Sequence, residues 1–287
     1  MNFTPRRERF RALLAGSGCV HPASVFDAIS ARIAFDLGYE LAMFAGSVGS
    51  MTVLGAPDLV VLTLSEFAGQ ACRISRGADL PLLVDADHGY GNALNVRRTV
   101  QELEAAGAGG LTIEDTLLPQ AFGEKKTQLI SLEEGVGKMK AAVDGRSDPT
   151  LVILARTGAI SITSLGDAIE RARAYQETGV DGLFFTGIKS RAEVEAISEA
   201  TRLPIVLGGA PEEMIDLKWL ADKRVKIALQ GHAPIAAATQ SVYETLKALK
   251  DGTLPKDLKG LASAELTGRV TREAETKARM SAFLALT

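Results

Sequence analysis

Short apolar runs rich in β-branched and aromatic residues alternate along this chain with longer stretches in which apolar residues recur every three to four positions. The first pattern has the length and composition of strands buried on both faces; the second has the period of an amphipathic helix. Strands are predicted at residues 18–21, 41–45, 82–85, 110–114, 151–155, 182–185, 204–207 and 226–229. Helices are predicted between and after them at 25–37, 65–75, 93–106, 132–142, 164–177, 191–200, 211–219 and 235–250. Strand and helix alternate throughout, with no Gly/Ser linker and no break in composition. The fold class predicted is therefore α/β, a single (β/α)8 TIM-type barrel over residues 1–250.

Local signals agree with these limits. Ser131 and Glu134 have the spacing of a capping box, and Gly38, Gly107 and Gly179 stand where helix C-caps are expected. Two segments exceed the minimal barrel. Residues 115–130 follow the fourth strand without clear periodicity, and loops of that length are usually functional lids. Residues 251–287 form a C-terminal helical extension with a helix predicted at 270–286, whose apolar positions are Ala274, Ala278, Met280, Phe283 and Leu284. A terminal helix outside a closed barrel must bury that face, and a neighbouring subunit is the natural candidate.

Composition narrows the class of function. Hydrophobic residues are 46% and charged residues 23% of the 287, enough apolar mass for a large core and too little charge for disorder. A formal charge of −3 argues against nucleic acid as the partner, since phosphate binding needs a basic face. The two cysteines, Cys19 and Cys72, lie far apart, which excludes a cysteine zinc site and fits a reducing cytoplasm. The first fourteen residues carry Arg6, Arg7, Glu8, Arg9 and Arg11 and lack the apolar centre of a signal peptide. No apolar stretch reaches the roughly 18–20 residues that a membrane span needs.

The predicted strands end in polar residues, where barrels of this kind carry their chemistry. The third runs into Asp85-Ala86-Asp87-His88-Gly89-Tyr90-Gly91, the fourth ends in Glu114-Asp115, and the fifth continues into Arg156-Thr157. Aspartates two apart on a strand face the same side. An isolated Asp-x-Asp equally fits an Asx turn closing a strand. Its coincidence with Glu114 and Arg156 on neighbouring strands favours a shared site. Carboxylates crowded without matching cations repel one another, and a hard ion such as Mg²⁺ relieves that while keeping several of its waters. Mn²⁺ fits the same ligands. Such an ion can chelate a small 2-oxo acid through a carboxyl oxygen and the keto oxygen and stabilise an enolate.

At this level of detail the chain resembles the isocitrate lyase / phosphoenolpyruvate mutase superfamily. The resemblance rests on Phe26-Asp27-Ala28-Ile29-Ser30-Ala31, Ala45-Gly46-Ser47, Gly55-Ala56-Pro57-Asp58 with Leu62-Thr63 and Glu66, the Asp85–Gly91 segment, Ile113-Glu114-Asp115, and Ile153-Leu154-Ala155-Arg156-Thr157. These fall in family order and cover most of residues 18–250. The resemblance implies that Asp85 ligates Mg²⁺ directly, with Asp87, Glu114 and Asp58 holding metal-bound water. It implies that Gly46, Ser47 and Arg156 bind the substrate's C1 carboxylate, and that the protein is a homotetramer with exchanged C-terminal helices.

Departures from the family narrow the reaction. The long loop reads Leu118-Pro119-Gln120-Ala121-Phe122-Gly123-Glu124-Lys125-Lys126-Thr127-Gln128, with neither the cysteine motif of the C–C lyases nor the Lys-x-Asn element of the phosphonate-cleaving members. Gly158 follows Thr157 where lyases have Asp. What remains is a metal platform without a special acid, which suffices to decarboxylate oxaloacetate to pyruvate and CO2 through a metal-chelated enolate. The alternatives are another C–C lyase or hydrolase reaction on a 2-oxo or 2-hydroxy diacid, or a non-catalytic barrel that binds a carboxylic acid. His232, after the eighth strand, is read either as a helix N-terminal residue bonded to backbone or as a contact to the distal carboxylate and proton donor. His88 opposes the alternation of the aspartates, and His21 beside Pro22 is expected to be structural. Tyr90, Lys125 and Lys126 are expected either to close over substrate or, for the lysines, to be solvated.

Overall fold

In a computed structural model, which describes residues 1–284, eight parallel strands follow one another around the sheet in sequence order. They are β1 Ala23–Ser24, β2 Ala42–Phe44, β3 Leu82–Asp85, β4 Gly110–Glu114, β5 Val152–Thr157, β6 Gly182–Phe185, β7 Ile205–Leu207 and β8 Val225–Ala228. A parallel bridge between Val20 and Ile227 joins the last strand to the first and closes the barrel. From β2 to β8 nearly every strand residue is buried, the state expected of a sheet covered on both faces.

The helices are α1 Thr4–Ala15, α2 Ala28–Asp36, α3 Gly46–Gly49 (continued by a π-helical turn, Ser50–Leu54), α4 Leu64–Gly77, α5 Ala93–Ala105, α6 Leu132–Gly145, α7 Ala159–Ile162, α8 Leu165–Gln176, α9 Arg191–Ala200 and α10 Leu217–Asp222. Their starts are fixed by side-chain oxygens that accept the otherwise unpaired first-turn N–H groups. Asp27 and Ser30 cap α2 reciprocally, as Thr63 and Glu66 cap α4. Ser131 accepts from the Glu134 N–H at 3.1 Å and starts α6, without the return bond that would complete a capping box. Gly38, Gly107 and Gly179 all take left-handed φ after their helices, as their positions predict.

Several elements differ from the sequence expectation. The first strand is not a single run at 18–21. Pro22 has no N–H to give a ladder, so Val20 pairs toward β8 while Ala23–Ser24 pair with β2. The fifth strand extends through Arg156 to Thr157, because those residues stay in register with β4 and β6. Residues 211–219 split into a single 3-10 turn at Glu212–Met214 and the later α10. The charged N-terminal segment, with no element assigned from sequence, forms α1.

Helix α1 covers the N-terminal ends of the strands. Phe10 is fully buried against Gly110, where a Cβ would lie 2.6 Å from its ring and 2.8 Å from Val152. Arg7 donates to the carbonyls of Ala108 and Glu104 at 3.0 and 2.7 Å and to Asp148 at 2.8 Å. Arg11 reaches Asp181 at 2.9 Å. The arginines that make this segment polar are thus staples across the closed end of the barrel.

By its contacts the chain divides into two compact units, residues 1–232 and residues 233 onward, so the division falls before the eighth helix. The second unit holds α11 Ala233–Lys250, α12 Ala264–Thr271 and α13 Glu273–Leu284. No residue of α11 is buried, and Val242, Tyr243 and Leu246 are exposed. The helix predicted at 270–286 is broken at Arg272, which takes a left-handed φ of 58°; Ala285 and Leu286 of that prediction lie outside the described residues. No helix among the described residues is long and apolar enough to cross a membrane.

Because Phe10 fills the end of the barrel remote from the polar strand ends, Phe10→Ala should lower stability by about 3–5 kcal/mol through cavity formation. Turnover per folded molecule should be unchanged. Thermal unfolding and a steady-state assay below the transition check both.

Candidate active site

The parallel register brings the polar strand ends together. Asp85 pairs with Thr112, and Glu114 pairs with Arg156. The Thr112 hydroxyl donates to Asp85 Oδ1 at 2.8 Å, and Arg156 Nη1 donates to Asp85 Oδ2. Arg156 Nη2 lies 3.3 Å from Glu114 Oε2. The guanidinium also sits over the Phe184 ring, 5.6 Å from its centroid. Gly208 leaves room for that ring, since a Cβ there would lie 2.7 Å from both Phe184 and Thr186.

Beyond Asp85 the chain turns through left-handed φ at Asp87 (47°) and Tyr90 (60°), with Gly89 and Gly91 also at positive φ. Two non-glycine residues in this region are a local strain that surrounding contacts must hold. The Glu114 N–H donates to the Asp87 carbonyl at 2.9 Å, and a Cβ at Gly89 would meet Val96 at 2.4 Å. The Asp87 carboxylate lies against the backbone of Gly46, where a Cβ would fall 2.5 Å from Oδ1. Gly46 is therefore required by the position of Asp87 itself.

A cavity of about 230 Å³ opens at these strand ends, lined by Ser47, Asp58, Asp85, Asp87, Glu114, Arg156 and His232 together with Met43, Val60, Leu118, Phe184 and Thr186. A larger groove, about 600 Å³, lies at the N-terminal ends of the first strands. Its wall is mostly apolar, and its one arginine, Arg9, is paired with Asp79. Chemistry belongs to the smaller cavity, where charged groups converge.

Four carboxylates and one guanidinium leave that cavity with three formal negative charges. Burial, then the charges of Asp85, Glu114 and Asp58, push the Asp87 carboxyl well above the ordinary range. Burial also raises Glu114, against the pull of Arg156. For Arg156 burial disfavours the charge, but Asp85 and Glu114 outweigh it and hold the group above its ordinary value. An all-oxygen donor set with excess negative charge fits a hard divalent cation. It does not fit a cage of direct ligands: among the described residues no three His, Cys, Asp or Glu side chains are gathered closely enough to hold an ion.

His232 lines the cavity, and its Nδ1 is 2.9 Å from the Ser24 hydroxyl rather than bonded to backbone. Burial lowers its pKa, with Asp85 and Asp58 pulling partway back. His21 instead bonds the Ala228 carbonyl at 2.7 Å, as its structural reading predicts. His88 is buried away from the cavity, its pKa lowered to about 4 by burial and by Lys138, which donates to its carbonyl at 3.1 Å. Tyr90 does not line the cavity, and Lys125 and Lys126 are exposed. Sequence reasoning missed Ser24, Thr112, Phe184 and Thr186. The last two follow the same strand-end rule that exposed Asp85 and Glu114. Ser24 was hidden by the interruption at Pro22.

The loop 115–130 is rooted at both ends. Thr116 bridges Leu129, and Leu117 N–H donates to the Gln128 carbonyl at 2.8 Å. Below them the buried Arg171 donates to Asp115 Oδ2 at 3.0 Å and to the Ile130 carbonyl at 3.1 Å, and the Tyr175 hydroxyl donates to the same carboxylate oxygen at 2.8 Å. The tip is solvated, with Phe122 fully exposed. Leu118 is the loop residue that lines the cavity.

Comparison with known proteins is concordant. Residues 10–250 match the family model described as phosphoenolpyruvate phosphomutase. An oxaloacetate decarboxylase of Bradyrhizobium diazoefficiens is 72% identical over 279 residues, 97% of each chain. Among solved structures, oxaloacetate acetylhydrolase superposes with a TM-score of 0.84 at 26% identity, covering 97% of this chain and 98% of its own. Phosphonopyruvate hydrolase in complex with oxalate and Mg²⁺ superposes with a TM-score of 0.85 at 26% identity, covering 97% and 99%.

Arg171 ties both roots of the loop through one buried ion pair, so Arg171→Leu leaves the Asp115 carboxylate buried without its cation. Breaking such a pair costs about 3–5 kcal/mol. Denaturant unfolding should register that loss, and limited proteolysis should cut within 117–128 faster than in the parent. An unchanged midpoint would mean that Tyr175 alone satisfies Asp115.

Proposed function

We propose that this chain, which belongs to the phosphoenolpyruvate phosphomutase family, is a carboxy-lyase that decarboxylates oxaloacetate to pyruvate and CO2 with the help of Mg²⁺. The observation that carries this reading is the apolar contribution of the long loop: the side chain it sends to the cavity is Leu118, not an acid or a thiol. A reaction that needs a proton donor delivered by the loop finds none. Decarboxylation needs only a sink for the electrons of the C3–C4 bond, and C3 can then take its proton from water or from His232. The 72% identity to an oxaloacetate decarboxylase supports the same assignment.

The residue roles are those that the family resemblance implies, and the cavity supports them by gathering most of these residues. Asp85 would hold the ion directly, and Asp58, Asp87 and Glu114, spaced around the same cavity, would hold its water. Bound there, Mg²⁺ supplies a Lewis acid that stabilises the charge developing on the 2-oxo oxygen; Mn²⁺ would serve the same ligands. The buried Nε of Arg156 has no hydrogen-bond partner among the described residues and is a ready donor for the C1 carboxylate, beside Gly46 and Ser47. His232 faces the remaining carboxylate. The 115–130 loop closes over the site as a lid, and the exposed apolar residues Val242, Tyr243 and Leu246 of α11 are covered by other copies of the chain in a homotetramer. The free cysteines Cys19 and Cys72 support a reducing, cytoplasmic setting.

The deciding experiment measures pyruvate and CO2 from oxaloacetate, with and without EDTA, above the metal-catalysed background. Equimolar products, abolished by EDTA, are expected. Asp85→Ala should lower turnover by at least about 10²-fold with the fold intact. Release of acetate and oxalate would instead assign hydrolysis, and near-parent turnover of Asp85→Ala at saturating metal would remove Asp85 as the ligand. Sedimentation equilibrium should give a tetramer, and Leu246→Glu should shift it toward smaller species.

A further inference from the structure

Ser24 and His232 come from opposite ends of the described barrel unit, separated by 208 positions, yet their side chains meet at 2.9 Å. Ser24 ends β1, and His232 follows Gly231, which takes a left-handed φ of 76° after β8. The contact is therefore built by the closure of the barrel between its first and last strands. It joins Oγ to Nδ1, so the other ring nitrogen, Nε2, is the polar atom that His232 has left for the cavity it lines.

Proton bookkeeping selects one of the two tautomers. A serine hydroxyl carries one proton and accepts others; a neutral imidazole carries its proton on one nitrogen only. If Nδ1 held it, the Ser24 proton would need a second acceptor, and this hydroxyl makes no other hydrogen bond among the described residues. If the hydroxyl donates to Nδ1, both groups are satisfied and Nε2 carries the N–H. We infer that Ser24 is the positioning residue of His232: its hydroxyl donates to Nδ1, fixes the Nε2–H tautomer, and so presents an N–H donor to the distal carboxylate of the substrate. This inference rests on the substrate reading above for its last clause only.

Ser24 is thus assigned a role through another residue and no contact with the reacting atoms. A donor N–H matches an anionic group, whereas a bare Nε2 lone pair would repel it. The same bond holds the ring plane, because a ring fixed at Nδ1 cannot turn about its Cβ–Cγ axis without losing it.

Two measurements test this. With three histidines in the chain, imidazole ¹⁵N NMR resolves each ring, and His232→Ala identifies the one in question. The parent should show His232 as a single Nε2–H tautomer, Ser24→Ala a mixture, and Ser24→Thr, which restores the hydroxyl, the parent pattern. In the assay, Ser24→Ala should lower kcat/KM for oxaloacetate about fivefold or more while inhibition by oxalate, which has no distal group, holds. In a His232→Ala background Ser24→Ala should add nothing further. An unchanged tautomer in Ser24→Ala overturns the inference, as does a loss that persists in the His232→Ala background. If the parent fails to decarboxylate oxaloacetate, the substrate reading falls, and the NMR comparison still decides the tautomer.

Discussion

The mouth of this barrel depends on the way Arg156 is shared. One guanidinium spans Asp85 and Glu114, each held at a strand end by register, and among the described residues no other Lys or Arg lines the cavity with the four carboxylates. A lone arginine cannot neutralise four carboxylates, and Asp87 and Glu114, raised first by burial, are raised further by the carboxylates around them. The mismatch is the feature on which the proposal of a divalent ion rests. The strained turn through Asp87 and Tyr90, the glycine at position 46 and the room left by Gly208 all serve to keep these groups at their stations. Structural cost is concentrated where the chemistry is proposed to occur.

What the sequence made legible follows the reach of each physical rule. Asp85, Glu114 and Arg156 were readable because a parallel strand buried on both faces is a nearly unbroken apolar run, so polar residues at its end stand out. The helix start at Ser131 and the glycine stops after α2 and α5 were readable because capping is a contact between neighbours in sequence. Contacts between distant residues were not. Ser24 with His232, and Arg171 with Asp115, Tyr175 and Ile130, exist only once the fold has brought α8 and the strand ends into place. The charged N-terminus was misleading for a related reason: its arginines mark a helix whose polar face is spent on backbone carbonyls and carboxylates of the barrel rather than on solvent.

The two ends of the barrel divide the work. At the N-terminal end Phe10 and the arginine staples fill space and satisfy carbonyls, and the larger groove beside them gathers no titratable constellation. At the other end space is left open, charges are unbalanced and backbone angles are unfavourable. Arg171 lies between these regimes, since it satisfies a buried carboxylate and at the same time fixes the span that the long loop must bridge.

The break at Pro22 has a consequence for how evenly the hoop is held. Strands β4 and β5 share five register pairs, whereas the last strand meets the first through one backbone bridge, Val20 to Ile227. That seam is laced instead by side chains: His21 to the Ala228 carbonyl at one height and Ser24 to His232 nearer the mouth. The closure of the barrel is thinnest in backbone pairing along this line, and one of the side chains that lace it, His232, lines the cavity. Loss of the hydroxyl at position 24 would therefore act on the hoop's closure and on the cavity together, whereas threonine would spare both.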